Sequence, residues 1–425
     1  MKLLIKNGRV VDPANKRDEI CDILVSDGKI SKVANNISCQ GCRTIDATDK
    51  IVMPGLVDMH VHLREPGRED QETIASGTQA ALKGGVTSLL AMPNTTPAID
   101  CAKHAGLLKK IIRNDAAANV LICGTITQGR AGRKLVDITQ LGKAGAVAIT
   151  DDGASVDDQR ILLTALKQAG KGGLLLICHC EDKGLSVNGE VNLGIASTRM
   201  GLRGISQESE YLRVQRDIDL ANKANARIHI AHVSCKETVE IIAKAKKKGV
   251  KVSAEAAPHH FALTEEAVYG FDTNMKMNPP LRAREDAEAI KKGLKDGAID
   301  AIASDHAPHT ENEKDIEFER ANFGVIGLET ELAVSISELI NTGVLDWPQL
   351  VCKLSLSPAR ILGIDKGTLG PGRSADIIVV SPQKQWVVEK DKFISKSQNS
   401  AFIGRTLRGV VEYTIVEGKV AYQLK

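Results

Sequence analysis

The sequence predicts an α/β fold: a (β/α)8 TIM barrel with a small β-sandwich domain built from both termini. Three observations carry that prediction. Eight apolar strand segments recur through the middle of the 425-residue chain, with longer helical stretches between them. Strands such as Leu174-Leu175-Leu176-Ile177-Cys178 are apolar at every position, which suits a parallel sheet covered on both faces. Both ends of the chain instead consist of short strands broken by turns.

Taken in order, the first end offers strands at 3–5, 9–11, 22–26, 29–33 and 44–46, with Asn7-Gly8 and Asp27-Gly28 as hairpin-type turn dipeptides. Barrel strands are expected at 57–62, 88–92, 120–125, 146–150, 174–179, 227–232, 251–256 and 300–304. Helical stretches between them include 70–83, 157–168, 208–225 and 236–248. The last end returns to strands at 375–381, 386–388, 409–416 and 418–422. A chain of this length exceeds one ordinary core. Residues 55–365 are therefore expected to form the barrel, and residues 1–54 and 366–425 the composite sandwich. An open doubly wound sheet would need a glycine-rich dinucleotide fingerprint after an early strand, and none is present.

Composition narrows the function classes. Net charge is +3 and aromatics are 3%, which argues against a nucleic-acid surface built on basic patches and base stacking. The basic run at Lys244–Lys248 falls on an expected helix and reads as a solvated face. No apolar run approaches the ~20 residues of a membrane span, and the first residues turn polar at Asn7-Gly8 before a secretory core develops. Nine cysteines, an odd number scattered along the chain, fit reduced thiols and a cytoplasmic location. Cys39-Gln40-Gly41-Cys42 lacks a second pair or nearby histidines and reads as a surface loop with incidental thiols.

Chemistry enters with Asp58-Met59-His60-Val61-His62-Leu63-Arg64. Alternation along a strand puts His60 and His62 on one face, with Cα atoms about 6.5 Å apart. Two imidazoles so placed can share one divalent metal. Arg64 follows on the same face, so a metal pair stands beside a cation suited to an anionic substrate. The other candidates fall in the same places in the repeat. His179 ends strand five, His232 ends strand six, Asp151-Asp152 follows strand four, and Asp305 follows strand eight. In a parallel barrel these strand ends share the carboxyl rim, where active sites of the fold lie. The remaining histidines are read more plainly: His104 on the surface, His229 in the barrel wall, His259 and His260 as structural, and His306 as an orienting neighbour of Asp305.

These residues belong to longer motifs: Asp58-Met59-His60-Val61-His62-Leu63-Arg64-Glu65-Pro66-Gly67, Met92-Pro93-Asn94-Thr95, Asn278-Pro279-Pro280-Leu281-Arg282 and Ser304-Asp305-His306-Ala307-Pro308-His309. With them the chain resembles the dihydroorotases of the amidohydrolase superfamily, the longer bacterial type, along essentially its full length. The resemblance implies a barrel of the amidohydrolase type that holds Zn2+, one or two ions per subunit and two expected. His60, His62 and Asp305 would hold one ion, and His179 and His232 the other. Many relatives bridge the two ions with a carboxylated lysine after strand four. Here that place reads Thr150-Asp151-Asp152-Gly153 and the nearest lysine, Lys143, precedes the strand, so an aspartate is the expected bridge. Position alone leaves both Asp151 and Asp152 open, and the family pattern favours Asp152.

The implied reaction interconverts L-dihydroorotate and N-carbamoyl-L-aspartate in de novo pyrimidine biosynthesis. A metal-bound hydroxide would be the nucleophile, and Asp305 both ligand and general base and acid. Arg64, with its planar fork, Asn94 and His309 would hold the substrate carboxylate beside the ligand His62. Asn278 would meet the ring amide, and the backbone of Phe323 and Gly324 would lie against the substrate. The charged segment 310–322 reads as a mobile cover after strand eight. Cys178, Cys180 and Cys235 lie near the expected metals but are not needed as ligands. The alternatives are an allantoinase or a dihydropyrimidinase, which generally use the lysine bridge, and a non-catalytic subunit supporting aspartate transcarbamoylase, which would typically have lost ligands. A homodimer is expected, with association with aspartate transcarbamoylase open.

Overall fold

The computed structural model describes residues 2–424. Five strands open the chain: β1 (Lys2–Asp12), β2 (Arg17–Ser26), β3 (Lys29–Ala34), β4 (Arg43–Asp46) and β5 (Ile51–Pro54). Barrel strands follow as β6 (Leu56–Val61), β7 (Val86–Ala91), β8 (Asn119–Gly124), β9 (Ala146–Ile149) and β10 (Leu175–Cys178). A small ribbon, β11 (Val191–Asn192) with β12 (Gly204–Ile205), interrupts them before β13 (Ile228–Ile230), β14 (Val252–Ala256) and β15 (Ala301–Ile302). The chain ends in β16 (Ile377–Val387), β17 (Thr406–Val416) and β18 (Lys419–Gln423).

The eight central strands pair in parallel in the order β6-β7-β8-β9-β10-β13-β14-β15. The ring closes between its first and last members. A parallel bridge joins Val61 to His306, whose carbonyl accepts from the His62 N–H at 2.8 Å. Lower in the same seam, the Asp58 carboxylate accepts from the backbone N–H of Ser304 at 3.2 Å. This is the expected (β/α)8 barrel, and each expected barrel strand is present within a few residues of its predicted bounds. Helix starts are set by local caps. The helix read over 70–83 begins at Ile74, because Thr73 and Ser76 form a capping box there. The Asp158 side chain likewise caps Gln159–Gly172.

Both termini build one eight-stranded sheet in the order β18-β17-β16-β5-β1-β2-β3, with β4 also pairing β1. Leu3, Ile5, Val10, Ile23, Val52, Ile377 and Ile415 share its apolar cluster. The turn at Asp27-Gly28 forms as read, with both residues at positive φ between β2 and β3. Asn7-Gly8 does not. There β1 runs straight through, and the register against β2 shifts between Ile5 and Gly8, so a dipeptide suited to a hairpin serves a β-bulge instead. Cys39 and Cys42, read as free thiols, are joined as a disulfide. Their spacing places the Cα atoms 5.8 Å apart, within bridging range. Among the described residues, no helix is long and apolar enough to cross a membrane.

Candidate active site

The expected ligands converge on the carboxyl rim. His60 lies in β6 with His62 just past its end, and His179 directly follows β10. His232 lies two residues beyond β13, and Asp152 and Asp305 three beyond β9 and β15. Sharp turns after the strands aim these side chains inward. Arg64, His232 and Asp305 have φ of 61°, 30° and 48°, left-handed values that cost about 1–3 kcal/mol each in non-glycine residues. The surrounding contacts must hold them there.

Asp152 lies at the centre. Its carboxylate is 3.3 Å from His60 Nε2, 3.5 Å from His62 Nε2, 3.6 Å from His179 Nδ1 and 3.7 Å from His232 Nε2. Asp305 reaches His62 Nε2 at 3.4 Å and His60 Nε2 at 3.6 Å. Asp151 is committed elsewhere: it accepts from the backbone N–H groups of Ile126 and Thr127 at 2.8 and 3.0 Å, and from the Thr127 hydroxyl. Burial penalises the charge on Asp152 and Asp305, but the imidazoles around them outweigh it and hold both carboxyls below their usual range. Burial likewise opposes a proton on His60, and Asp152 and Asp305 more than offset it.

A divalent metal fits this donor set. His60, His62 and Asp305 each offer an atom within 4.8 Å of the others, as do His60, Asp152 and His232. His60 Nε2 and Asp152 Oδ1 are buried yet lack a hydrogen-bond partner, an arrangement that is costly unless a ligand satisfies both.

Outer partners set which nitrogen of each ring faces inward. His60 Nδ1 donates to Glu255 Oε1 at 2.8 Å, and His62 Nδ1 donates to Asn94 Oδ1 at 2.8 Å, so both present Nε2 to the centre. His179 turns the other way. Its Nε2 meets Glu181 Oε2 at 3.2 Å, and its Nδ1 lies 2.9 Å from His232 Nε2. Glu255 and Glu181 were not foreseen from the sequence. A lone glutamate inside the otherwise small and apolar β14 was the available signal for the first, and the adjacency His179-Cys180-Glu181 for the second. His229 hydrogen-bonds within the barrel wall as read, with Nδ1 to Ser253 at 2.8 Å and Nε2 to Glu255 at 3.1 Å, and so is linked to His60 through one carboxylate.

A cavity of about 260 Å³ opens beside these ligands, lined by His62, Arg64, Asn94, Asp152, His179, His232, Asn278, Asp305, His309, Phe323 and Gly324, with Gly153 and Ala307. Every expected site residue except His60 faces it. The Arg64 Nε donates to the Pro308 carbonyl at 3.1 Å, which fixes the guanidinium at the cavity wall. Burial lowers its pKa to about 10, still charged at neutral pH. His309 Nε2 donates to the Phe323 carbonyl at 2.8 Å and its Nδ1 lies 3.3 Å from Gln71 Nε2. Burial and the nearby cations Arg64 and Lys314 push its pKa down to about 3. Asn278 Nδ2 donates to Glu181 at 3.3 Å.

The backbone of Phe323 and Gly324 is at the cavity but largely spoken for. Gly324 N–H donates to the Lys276 carbonyl at 3.0 Å, and its own carbonyl accepts from Lys314 Nζ at 3.0 Å. A side chain cannot replace this glycine. Its φ is 130°, and an added Cβ would lie 2.8 Å from the Ala307 Cβ and 3.1 Å from His309 Nε2. The segment read as a mobile cover is tied down. It contains a helical turn, Glu311–Lys314, and Lys314 is buried, donating also to the Asn322 carbonyl at 2.8 Å.

His306 points from the centre to Glu72 at 3.3 Å. His259 and His260 are buried in the short helix Pro258–Ala262, where His260 Nε2 meets the Pro279 carbonyl at 3.0 Å. His104 is half-buried against Asp100 and the Ala98 carbonyl. Cys180 and Cys235 lean on Asp217 and Glu210, and neither they nor Cys178 joins the histidine clusters. Lys143 sits exposed on the helix Ile138–Ala144, before β9 and away from the rim.

Comparisons with known proteins place the chain in a family and a fold. Residues 49–238 match the family model described as dihydro-orotase-like. The chain is 52% identical over 420 residues to a dihydroorotase of Elusimicrobium minutum, covering 99% of this chain and 97% of the relative. It is 48% identical to one from Pelotomaculum thermopropionicum, covering 100% and 99%. Among solved structures, the L-hydantoinase (dihydropyrimidinase) of Arthrobacter aurescens superposes with a TM-score of 0.89 at 26% identity, covering 98% of this chain and 95% of that one. The dihydropyrimidinase of Brevibacillus agri, at 23% identity, a TM-score of 0.87 and coverage of 99% and 95%, shares the fold.

Proposed function

Because this chain belongs to the dihydroorotase family of cyclic amide hydrolases, we propose that it interconverts L-dihydroorotate and N-carbamoyl-L-aspartate in pyrimidine biosynthesis. One observation carries the choice of substrate. The cavity is lined by a guanidinium, Arg64, together with the histidine–aspartate centre, Asn94 and His309. A cyclic amide bearing a carboxylate matches both halves at once: the carboxylate meets the planar fork of Arg64 and the amide faces the carboxylates. Asn94 accepts from His62 through its oxygen, so its NH2 group is the donor left for the substrate.

In this reading His60, His62 and Asp305 would hold one Zn2+ and His179 and His232 a second, with the central Asp152 carboxylate contributing to both. When bound, zinc lowers the pKa of a water toward 7 and polarises the scissile carbonyl. The chain's own residues do the rest. Arg64 and Asn94 orient the ring, and Asn278 meets its amide edge. In hydrolysis Asp305 takes the proton lost by the attacking water and passes it to the departing ring nitrogen as the carbon–nitrogen bond breaks. In ring closure the same carboxyl runs the transfer backwards. The dihydropyrimidinase alternative is disfavoured because an aspartate, Asp152, occupies the centre where those enzymes generally place a lysine.

The same reading extends to a cytoplasmic homodimer able to associate with aspartate transcarbamoylase, and to a catalytic unit of residues 55–365 carried beside a unit of 1–54 and 366–425. Purified protein assayed against dihydroorotate, dihydrouracil and allantoin, with metal analysis in parallel, tests the activity. Dihydroorotate is expected to turn over with about two zinc ions per chain. Turnover of dihydrouracil with none of dihydroorotate would sink the reading, and size measurement in solution checks the dimer.

A further inference from the structure

The connection between β16 and β17 does not stay with the terminal sheet. It crosses to the barrel rim and is fastened there at each step. Ile394 and Ser395 donate their backbone N–H groups to Glu329 Oε1 at 2.9 and 3.0 Å. Lys396 N–H donates to Glu72 at 3.2 Å, and the Ser397 hydroxyl to the Gln71 carbonyl at 2.7 Å. Glu72 is the carboxylate that also meets His306, next to Asp305.

Asn399 is the point where this strap reaches the cavity wall. The side chain is buried, and its amide is used completely. Oδ1 accepts from the His309 N–H at 3.1 Å. Nδ2 donates to the carbonyls of Ala307 and Gly324 at 3.2 and 3.1 Å. Its own backbone carbonyl accepts from Ile326 N–H at 3.0 Å. One acceptor and two donors meet one N–H and two carbonyls, a match that aspartate, which only accepts, cannot reproduce. The groups it joins are those on the Arg64 side of the cavity. His309 approaches the Arg64 guanidinium at 3.4 Å, and Pro308, between Ala307 and His309, supplies the carbonyl that fixes Arg64 Nε.

We infer that Asn399 is a positioning residue for the substrate's carboxylate: it holds 307–309 and Gly324 in the register that keeps His309 and Arg64 aimed into the cavity. The inference rests on the proposed carboxylate-bearing substrate. It assigns to the terminal unit a part in substrate selection, although that unit supplies none of the cavity-lining side chains. Such a wall acts on binding rather than on the reacting atoms, so its displacement is read in KM and not in kcat.

The test compares Asn399→Ala and Asn399→Asp with the unaltered enzyme. KM for dihydroorotate is expected to rise roughly 10- to 100-fold in both, with kcat changed by less than about threefold and zinc content unchanged. Amide hydrogen exchange gives a readout free of turnover. The His309 amide is expected to exchange faster in Asn399→Ala, whereas Asn399→Asp keeps an acceptor for it and so keeps its protection. A merely structural asparagine would instead lower the active fraction, and so kcat, at unchanged KM. Unchanged KM in the folded variants overturns the inference, and Asn399→Asp serves if the alanine variant fails to fold. An unaltered enzyme that leaves dihydroorotate untouched overturns the substrate reading itself and takes this role with it.

Discussion

Replacing Arg64 with lysine isolates the geometry of the proposed anion site from its charge. Lysine keeps a cation on the same left-handed backbone position, so the strain at φ 61° is unchanged. It loses two things. One is the Nε bond to the Pro308 carbonyl, worth about 0.5–1.5 kcal/mol of folding stability. The other is one arm of a bidentate pair with the substrate carboxylate, worth about 1.5–3 kcal/mol as a hydrogen bond to a charged group. At about 1.4 kcal/mol per tenfold, KM for dihydroorotate should rise roughly 10- to 150-fold. Thermal unfolding should shift by only a few degrees, on the order of 2–4 °C per kcal/mol or less in a chain larger than the usual calibration set. Steady-state kinetics beside calorimetry gives both numbers. An unchanged KM would remove Arg64 from binding, and a stability loss as large as the affinity loss would make it a structural arginine.

Three further perturbations follow from the geometry. Asp305→Asn keeps an oxygen ligand but cannot take a proton, so kcat should fall by about 10³-fold or more while zinc stays bound more weakly; turnover at the original rate would exclude Asp305 from proton transfer. Glu255→Gln removes the carboxylate that accepts from His60 Nδ1 at 2.8 Å, and zinc affinity measured by chelator competition should drop about 10- to 100-fold; an unaltered affinity would show that His60 needs no such partner. His309 is held neutral to about pH 3, below the value near 6.5 of an unfolded histidine. The unfolded chain therefore binds the extra proton first, so stability should rise with pH between about 3 and 6.5 and fall on acidification through that window. His309→Asn should flatten that part of the profile of unfolding midpoint against pH, and an unchanged slope would refute the assignment.

The barrel was legible because strands such as β10 are buried at every position and carry their apolar runs in the sequence. The ligands were legible for a related reason. A rim residue sits at a fixed place in the βα repeat, so His60, His62, His179, His232 and Asp305 could be aligned before any coordinates. Local pattern failed where meaning depends on a distant partner. Asn7-Gly8 has the backbone freedom for either a hairpin or a bulge, and only pairing with β2 decides between them. Segment 310–322 reads as solvent-facing from its charges, yet Lys314 buries its ammonium among backbone carbonyls that no periodicity announces. Asn399 lies 90 residues from His309, in a stretch with neither helical nor strand alternation. Asp151 and Asp152 were separable only once the N–H groups of Ile126 and Thr127 were seen to claim the first.

The position of β5 has a consequence for the order in which the protein is assembled. Residues 51–54 lie between β1, which precedes them in the chain, and β16, made more than 320 residues later. While the barrel is being synthesised, one edge of β5 therefore has no strand to pair with, an open template for pairing with another chain. Only the segment from β16 onward closes that edge, and the same segment delivers Asn399 to the barrel rim. Completion of the sheet and completion of the cavity wall thus depend on one and the same segment. A chain lacking that segment would carry every histidine and aspartate of the candidate centre, an exposed strand edge and an unfastened wall at His309.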